Sequence, residues 1–411
     1  MQRPPPIAAI TFLLALSVGI NYIDRTNLSI AAPLLKTELH LSASELGFIF
    51  SAFFWTFACF QLVSGWLADR VDVKWLLGAG LGLWSAATAA AAFVHGFVPL
   101  LLARLILGVG ESVAYPSYSR ILVEHVPEDR RGGANAAISA GQMCGIALGT
   151  LAGGMLVARL GWRPFFIGLG ILGFLWLVPW LLIMPSRPPG HVPEASPDAP
   201  TIAQIARERT FWGACFGLFG ANYFSYTFIS WLPLYLVDYR HYSMDRMGVT
   251  TGAIYLLVAV TAMITGRAAD WRIVRGLSTL GIRRTICAWG LAVAGLLLLL
   301  GMTFIESPIS MVLLFAAYLG WGAFSAVHWA ASQTLAGPLA AGRWTGMQNF
   351  IGNLAGPTAP LVAGILLDRT GSYFWGFVVT AVITTIGAAS WTFVIRDVRE
   401  TDWREGTVPL K

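Results

Sequence analysis

Asn21-Tyr22-Ile23-Asp24-Arg25-Thr26-Asn27 places a carboxylate and a guanidinium side by side inside an otherwise apolar run from Ile7 to Leu35. The run exceeds the ~20 helical residues needed to span hydrocarbon. A charge at that depth costs at least ~2.5 to 3.5 kcal/mol, so both groups need a partner or a task.

The rest of the chain matches this start. Of its 411 residues 56% are hydrophobic and only 12% charged, and the mean hydropathy is +0.67, a balance that a soluble protein with a mostly polar surface does not show. A signal peptide is not expected, because the first apolar run carries Asp24 and Arg25 and leads into further long spans. The net charge of +6 reads as basic cytoplasmic loops, not as a nucleic-acid surface. Cys59, Cys144, Cys215 and Cys287 all fall in apolar spans without metal-ligand spacing, so neither disulfides nor a metal is expected.

Cutting at charged, Pro and Gly clusters gives twelve candidate spans: 7–35, 44–68, 74–95, 98–124, 132–160, 164–184, 210–237, 247–269, 284–304, 309–337, 344–368 and 373–395. The one long polar connection, 185–209, is proline-rich and ends in an amphipathic stretch from Ile202 to Arg209. The expected organisation is a six-helix bundle over 1–184, a cytoplasmic linker over 185–209, and a second bundle with a cytoplasmic tail over 210–411. With the N-terminus inside, Lys36, Arg159, Arg163, Arg240, Arg246 and Arg369 lie outside, Arg25 and Arg104 lie in the membrane, and the remaining 19 of the 27 Lys and Arg lie in the cytoplasm. That asymmetry predicts both termini inside.

An internal repeat supports two halves. Asn21-Tyr22-x3-Thr26-x2-Ser29 recurs as Asn222-Tyr223-x3-Thr227-x2-Ser230, and Gly65-x3-Asp69 recurs as Gly266-x3-Asp270. Gly145-x3-Gly149 of the fifth span matches Gly352-x3-Gly356 of the eleventh, which sets Gln142 on Asn349. An even number of spans separates the copies, so both halves share one orientation, a parallel repeat about an axis along the membrane normal. The predicted fold class is an all-α membrane protein of twelve transmembrane helices in two six-helix bundles.

The membrane charges carry the chemistry. Arg104 and Glu111 are seven residues apart, two turns along one helical face. The fourth span runs opposite to the first, so Glu111 can meet Asp24 and Arg25 near the middle of the half. A buried network that only clamps helices is the competing reading; four membrane charges in one half favour function. Asp24 and Glu111 are the candidate proton carriers. Arg25 can take a carboxylate in fork geometry once one of the two acids is protonated, so proton and anion bind together. The repeat sets Ser225 and Tyr226 opposite Asp24 and Arg25, so coupling belongs to the first half. The second half offers neutral hydrogen-bonding groups, Asn222, Tyr223, Tyr226, Ser325, His328, Asn349 and Asn353, to select the rest of a substrate, although each could equally bond to a neighbouring helix. Glycines 141, 145, 149 and 153 give the fifth span a small-residue face for close helix approach.

Gly65-Trp66-Leu67-Ala68-Asp69-Arg70 with Lys74, and its second copy Gly266-x3-Asp270 with Arg272 and Arg275, resemble the loop motif of the major facilitator superfamily. The first copy departs from the pattern at Asp72 and Val73. Within the superfamily, the stretch from Asn21 to Asn27, Arg104-x6-Glu111, Trp231-Leu232-Pro233-x-Tyr235 and Asn349-Phe350-x-Gly352-Asn353 together resemble the anion:cation symporter family. Bacterial members of that family import sugar acids or phthalate-type acids with protons, and animal members include sialin and vesicular glutamate transporters. The resemblance implies that Tyr22 and Arg25 bind substrate, Asp24 and Glu111 couple protons, Gln142 and Asn349 contact hydroxyls or carboxylates, and Arg104 supports them. It also implies a monomeric permease of the bacterial inner membrane that takes a small carboxylate and protons, with no cofactor and no nucleic acid. Thr150, where superfamily drug antiporters carry proline, disfavours antiport.

The alternatives are uncoupled diffusion or exchange of an aromatic or dicarboxylic acid, and an anion sensor that moves nothing. An enzyme is not expected: HExxH and GxSxG are absent from the sequence. Gly168-x-Gly170-x2-Gly173 spells a dinucleotide fingerprint but lies within a span with no strand before it.

Overall fold

A computed structural model describes residues 6–126, 128–186, 200–395, 401 and 403, without side-chain detail at 62, 69, 123, 128–133, 136, 338, 341 and 342. Most of the linker expected over 185–209, and the side chain of Asp69, lie outside the described residues.

The described residues form helices and no strand. They are α1 (Ile7–Glu38), α2 (Ala43–Arg70), α3 (Val73–Ala91), α4 (Phe97–Ser112), α5 (Ala114–His125), α6 (Glu128–Leu160) and α7 (Trp162–Ile183). There follow α8 (Ile202–Arg207), α9 (Arg209–Leu234), α10 (Met244–Val274), α11 (Thr279–Thr303), α12 (Ile309–Asn353), α13 (Ala355–Thr370) and α14 (Tyr373–Ala389). Short π-helical turns, Tyr235–Tyr239 and Ser390–Val394, extend α9 and α14. Among the described residues ten stretches are long and apolar enough to cross a membrane, fewer than the twelve expected. The two missing correspond to α3 and α9. They are continuous helices of 19 and 26 residues, but α3 is built largely of Gly and Ala, and α9 interleaves Gly, Ser, Asn, Tyr and Trp with its apolar residues, so their overall apolarity is modest. The tenth and eleventh expected spans join in α12, broken at Gly337, whose φ of 68° is a left-handed conformation that glycine adopts without steric cost.

The chain divides into two compact units. The first comprises Met1–Val192, Phe228–Tyr255 and Pro360–Gly371, so two segments of the expected second half pack within it. Asp368 binds the later of these segments to the start of α2: its Oδ1 accepts from the Ala43 N–H at 2.9 Å and its Oδ2 from the Ser44 N–H at 2.6 Å. Those N–H groups have no partner within the helix, and an anion there meets the positive end of the helix dipole. Lys36 Nζ donates to Asp238 Oδ2 at 2.9 Å, and Trp231 Nε1 donates to the Pro360 carbonyl at 3.0 Å.

The glycine face of the fifth expected span does what its composition implies. A Cβ on Gly141 would sit 2.2 Å from the Ala15 carbonyl oxygen, and one on Gly145 would sit 2.4 Å from that of Gly19. α6 therefore lies against the backbone of α1 across the polar stretch.

The second unit comprises Pro193–Thr227, Leu256–Ala359 and Ser372–Lys411. Its core gathers Phe211, Cys215, Leu291, Phe324, Trp344 and Trp391, all buried. At the Gly337 break the Leu335 carbonyl accepts from the Thr401 N–H at 2.9 Å, and the Ala336 carbonyl accepts from Trp403 Nε1 at 2.7 Å. Carbonyls freed by a helix break must find such donors or be left unsatisfied.

Candidate functional site

Helical geometry turns successive residues about 100° apart, and this separates the two adjacent charges of α1. Arg25 points toward α2 and α4, where its Nε donates to Glu111 Oε2 at 2.9 Å; the Glu111 side chain is fully buried and that of Arg25 is 8% exposed. Three rings surround the guanidinium: its carbon lies 4.7 Å from the centre of Tyr22, 5.2 Å from Phe53 and 4.6 Å from Phe57. Phe53 and Phe57 are four apart on α2 and stack on each other. Phe53 also lies 5.2 Å from the guanidinium carbon of Arg104, which is buried, with no partner on its Nε among the described residues. Aromatic faces attract cations without neutralising them, so this cage holds two positive charges against one paired carboxylate.

Asp24 points elsewhere. It is buried, and its Oδ1 accepts from Asn27 Nδ2, one turn on, and from Thr88 Oγ1 of α3, both at 3.2 Å. Its Oδ2 is buried without a partner, and among the described residues Asp24 makes no ion pair. The three charges expected to meet are thus divided into an ion pair, Arg25 with Glu111, and a separate acid bound to neutral groups.

The half-buried edge of this set is a chain of hydroxyls. Tyr115 Oη donates to Gln142 Oε1 at 3.0 Å and lies 3.4 Å from Tyr22 Oη. Behind it, Ser17 Oγ donates to Tyr118 Oη at 2.8 Å. Tyr22, Arg25 and Gln142 are therefore brought together as the motif reading expects, and α6 can place Gln142 there because Gly141 lets it reach α1. Tyr115, Phe53, Phe57 and Thr88 were not foreseen. Tyr115 was discoverable, since it stands four residues after Glu111.

In the second unit, Tyr226 Oη donates to Asn353 Oδ1 at 2.5 Å, and Asn353 Nδ2 donates to Asn349 Oδ1 at 3.0 Å. Tyr223 is buried beside Phe219, Ala355 and Ala359. Ser325 and His328 do not join this chain. Ser325 Oγ donates to the Gly322 carbonyl of its own helix, and His328 stacks on Phe324 at 4.8 Å with its Nδ1 3.3 Å from the Ser325 carbonyl. Nε2 of His328 is buried without a hydrogen-bond partner. A hydroxyl spent on a carbonyl of its own helix and an imidazole stacked on the ring one turn before it account for the difference.

The two loop-motif copies share a cation over a ring four residues earlier, Arg70 over Trp66 at 4.3 Å and Arg275 over Trp271 at 3.5 Å. Asp270 is exposed. No group of three or more metal-ligating side chains occurs among the described residues.

A charged, ring-lined site built across several membrane-length helices is what a membrane carrier requires, and a family model identifies which kind. The Major Facilitator Superfamily model matches residues 14–356. The chain belongs to the Major Facilitator Superfamily. Superfamily membership makes it a membrane transporter and not an enzyme. It is 27% identical to a probable galactarate/D-glucarate transporter of Escherichia coli, over 95% of each chain. It is 29% identical to a probable sulfoacetate transporter of Cupriavidus necator, over 93% of this chain and 92% of that one. Among solved structures, a bacterial homolog of the human lysosomal transporter Spinster, inward-facing and occupied, superposes with a TM-score of 0.81 at 18% identity, over 96% and 98% of the two chains. At that identity the likeness establishes the shared superfamily fold.

Proposed function

We propose that this superfamily member imports an organic anion together with protons by alternating access, and that the anion is a sugar acid such as an aldonate, aldarate or hexuronate. The observation that carries the reading is the Arg25 to Glu111 ion pair at the edge of the Tyr22, Tyr115 and Gln142 hydrogen-bonding chain.

A substrate carboxylate and Glu111 compete for one guanidinium. Glu111 that has taken a proton from the outside releases Arg25 to the substrate. When that proton leaves to the inside, Glu111 reclaims Arg25 and expels the anion. Proton and anion thus cross in the same direction, and no covalent bond is made. The buried cage of rings strengthens the exchange, because a charge-assisted pair is worth more where water is excluded. Asp24 carries protons away from the Arg25 pair, in an environment of neutral donors. Tyr22, Tyr115 and Gln142 offer the neutral groups that a polyhydroxylated acid needs. We assign a like role to Tyr226, Asn353 and Asn349, whose side chains already form a hydrogen-bonded chain. The support from relatives is the galactarate/D-glucarate transporter. We further infer twelve helices in two bundles with both termini cytoplasmic, on the strength of the Lys and Arg distribution and the internal repeat, and a monomer of a bacterial inner membrane on the strength of the family resemblance.

The sulfoacetate transporter, at similar identity, favours a second reading in which the anion is a small sulfonate or carboxylate without hydroxyls. Uptake into proteoliposomes under an inward proton gradient tests both. Labelled galactarate, glucuronate, galactonate, sulfoacetate and benzoate are compared, each with and without an ionophore. Ionophore-sensitive accumulation of a sugar acid is the expected result; accumulation of sulfoacetate alone transfers the claim to the second reading. Uptake that only equilibrates removes proton coupling, and binding without uptake makes the protein a sensor.

A further inference from the structure

Threonines within these helices share a habit. Thr26, Thr150, Thr251, Thr261 and Thr380 all donate their hydroxyls to carbonyls one turn earlier in their own helix. Thr88 does not. It is buried at 2% exposure in a stretch of alanines on α3, and its hydroxyl goes across to Asp24 Oδ1. A buried hydroxyl must find an acceptor, and the preceding turn of its own helix is the one always within reach, so a bond taken across to another helix singles out Asp24 as its partner.

The acid it serves is equally unusual. Asp24 is 1% exposed, both donors converge on Oδ1, and Oδ2 faces no partner. The charged groups whose fields act on it are Glu111 and Arg104 on α4, with Arg25 next to it in sequence on α1, and among the described residues it makes no ion pair. An unpaired ionised carboxylate in such a place is far costlier than a neutral acid, and a proton on Oδ2 leaves both bonds to Oδ1 intact.

We propose that Thr88 is a positioning residue for Asp24, fixing Oδ1 so that the transported proton is carried on Oδ2 and the carboxyl stays on the α3 side of α1, apart from the Arg25 to Glu111 pair. A hydroxyl suits this task where a guanidinium would not. It donates to a carboxylate and to the carbonyl oxygen of the neutral acid alike, so the carboxyl keeps its orientation as the proton arrives from water on one side and leaves to water on the other. An arginine in place of Thr88 would hold the acid permanently ionised. The inference rests on the reading of Asp24 as a proton carrier.

The test needs no substrate. Infrared difference spectra are recorded across a pH titration of the full chain in lipid, and the Asp24→Asn variant identifies the carbonyl stretch of the protonated acid as the band that disappears. Thr88→Val keeps the shape and removes the donor. The expected result is a band displaced to higher wavenumber and a titration midpoint about one pH unit more alkaline, since the hydroxyl bonds both forms but a bond to a charged acceptor is roughly twice as strong as one to a neutral acceptor, and its loss therefore favours the neutral acid. Thr88→Ser restores both, which separates the hydroxyl from any general disturbance of α3. A Thr88→Val band and midpoint identical to the wild type overturn the role of Thr88 while leaving Asp24 as a carrier. If Asp24→Asn removes no band at any pH, Asp24 never holds a proton, and the reading on which the inference rests falls with it.

Discussion

The two copies of the repeated stretch have taken opposite courses. In the first unit Asn21 to Ser29 carries Asp24 and Arg25, one bound to neutral donors of α1 and α3 and the other caged by aromatic rings and paired with Glu111. In the second, Ser225 and Tyr226 stand at the matching places, and Tyr226 starts a chain of neutral hydrogen bonds through Asn353 to Asn349. One sequence pattern runs through both, but only the first copy bears the cost of burying charge. The difference teaches that a repeated sequence pattern can hold buried charge in one copy and neutral hydrogen bonding in the other.

The largest effect is expected where the copies differ most. Arg25→Tyr gives the first copy the residue of the second, and uptake should fall to background, at least ~100-fold, since it strips the buried Glu111 of its partner as well as removing the anion's. Uptake within ~10-fold of wild type would show that the charge difference between the copies is incidental. Next, Glu111→Gln should retain counterflow of preloaded labelled substrate yet lose accumulation driven by a proton gradient. Accumulation at the wild-type level would place coupling elsewhere.

The glycine pair extends the comparison to packing. A Cβ on Gly145 meets backbone of Gly19 at 2.4 Å, whereas one on its counterpart Gly352 meets the side chain of Leu218 at 2.6 Å, which can move. Gly145→Ala should therefore lower the melting temperature by several degrees, on the order of 1–3 kcal/mol of overpacking, and Gly352→Ala by distinctly less. Equal shifts would mean that the α1 backbone yields as easily as a leucine. The smallest effect belongs to Tyr226→Phe, which removes one neutral hydrogen bond and should raise the half-saturating substrate concentration about fivefold, near 1 kcal/mol, with accumulation preserved. A loss of coupling instead would give the second copy a part in proton chemistry.

Much of this was readable in one dimension. Helices of membrane length, the repeat and the intramembrane charges are matters of composition and spacing, and the close approach of α6 to α1 follows from glycines four apart. The pairing of Arg25 with Glu111 was foreseeable from the opposed directions of the first and fourth spans. What sequence did not reveal is rotational. Asp24 and Arg25 are adjacent letters but face different neighbours, and nothing in an alanine-rich stretch marks Thr88 as the partner of Asp24. For Ser325 and His328 the polar letter was misleading, because a helix can absorb a hydroxyl into its own carbonyls and an imidazole into a stack of rings.

The break in α12 bears on how the protein is made. The carbonyls freed at Leu335 and Ala336 wait for Thr401 and Trp403, residues synthesised more than sixty positions later. A nascent chain stalled short of its end therefore leaves a frayed helix in its last-formed unit, and a tag fused close behind Trp403 competes for the same ground.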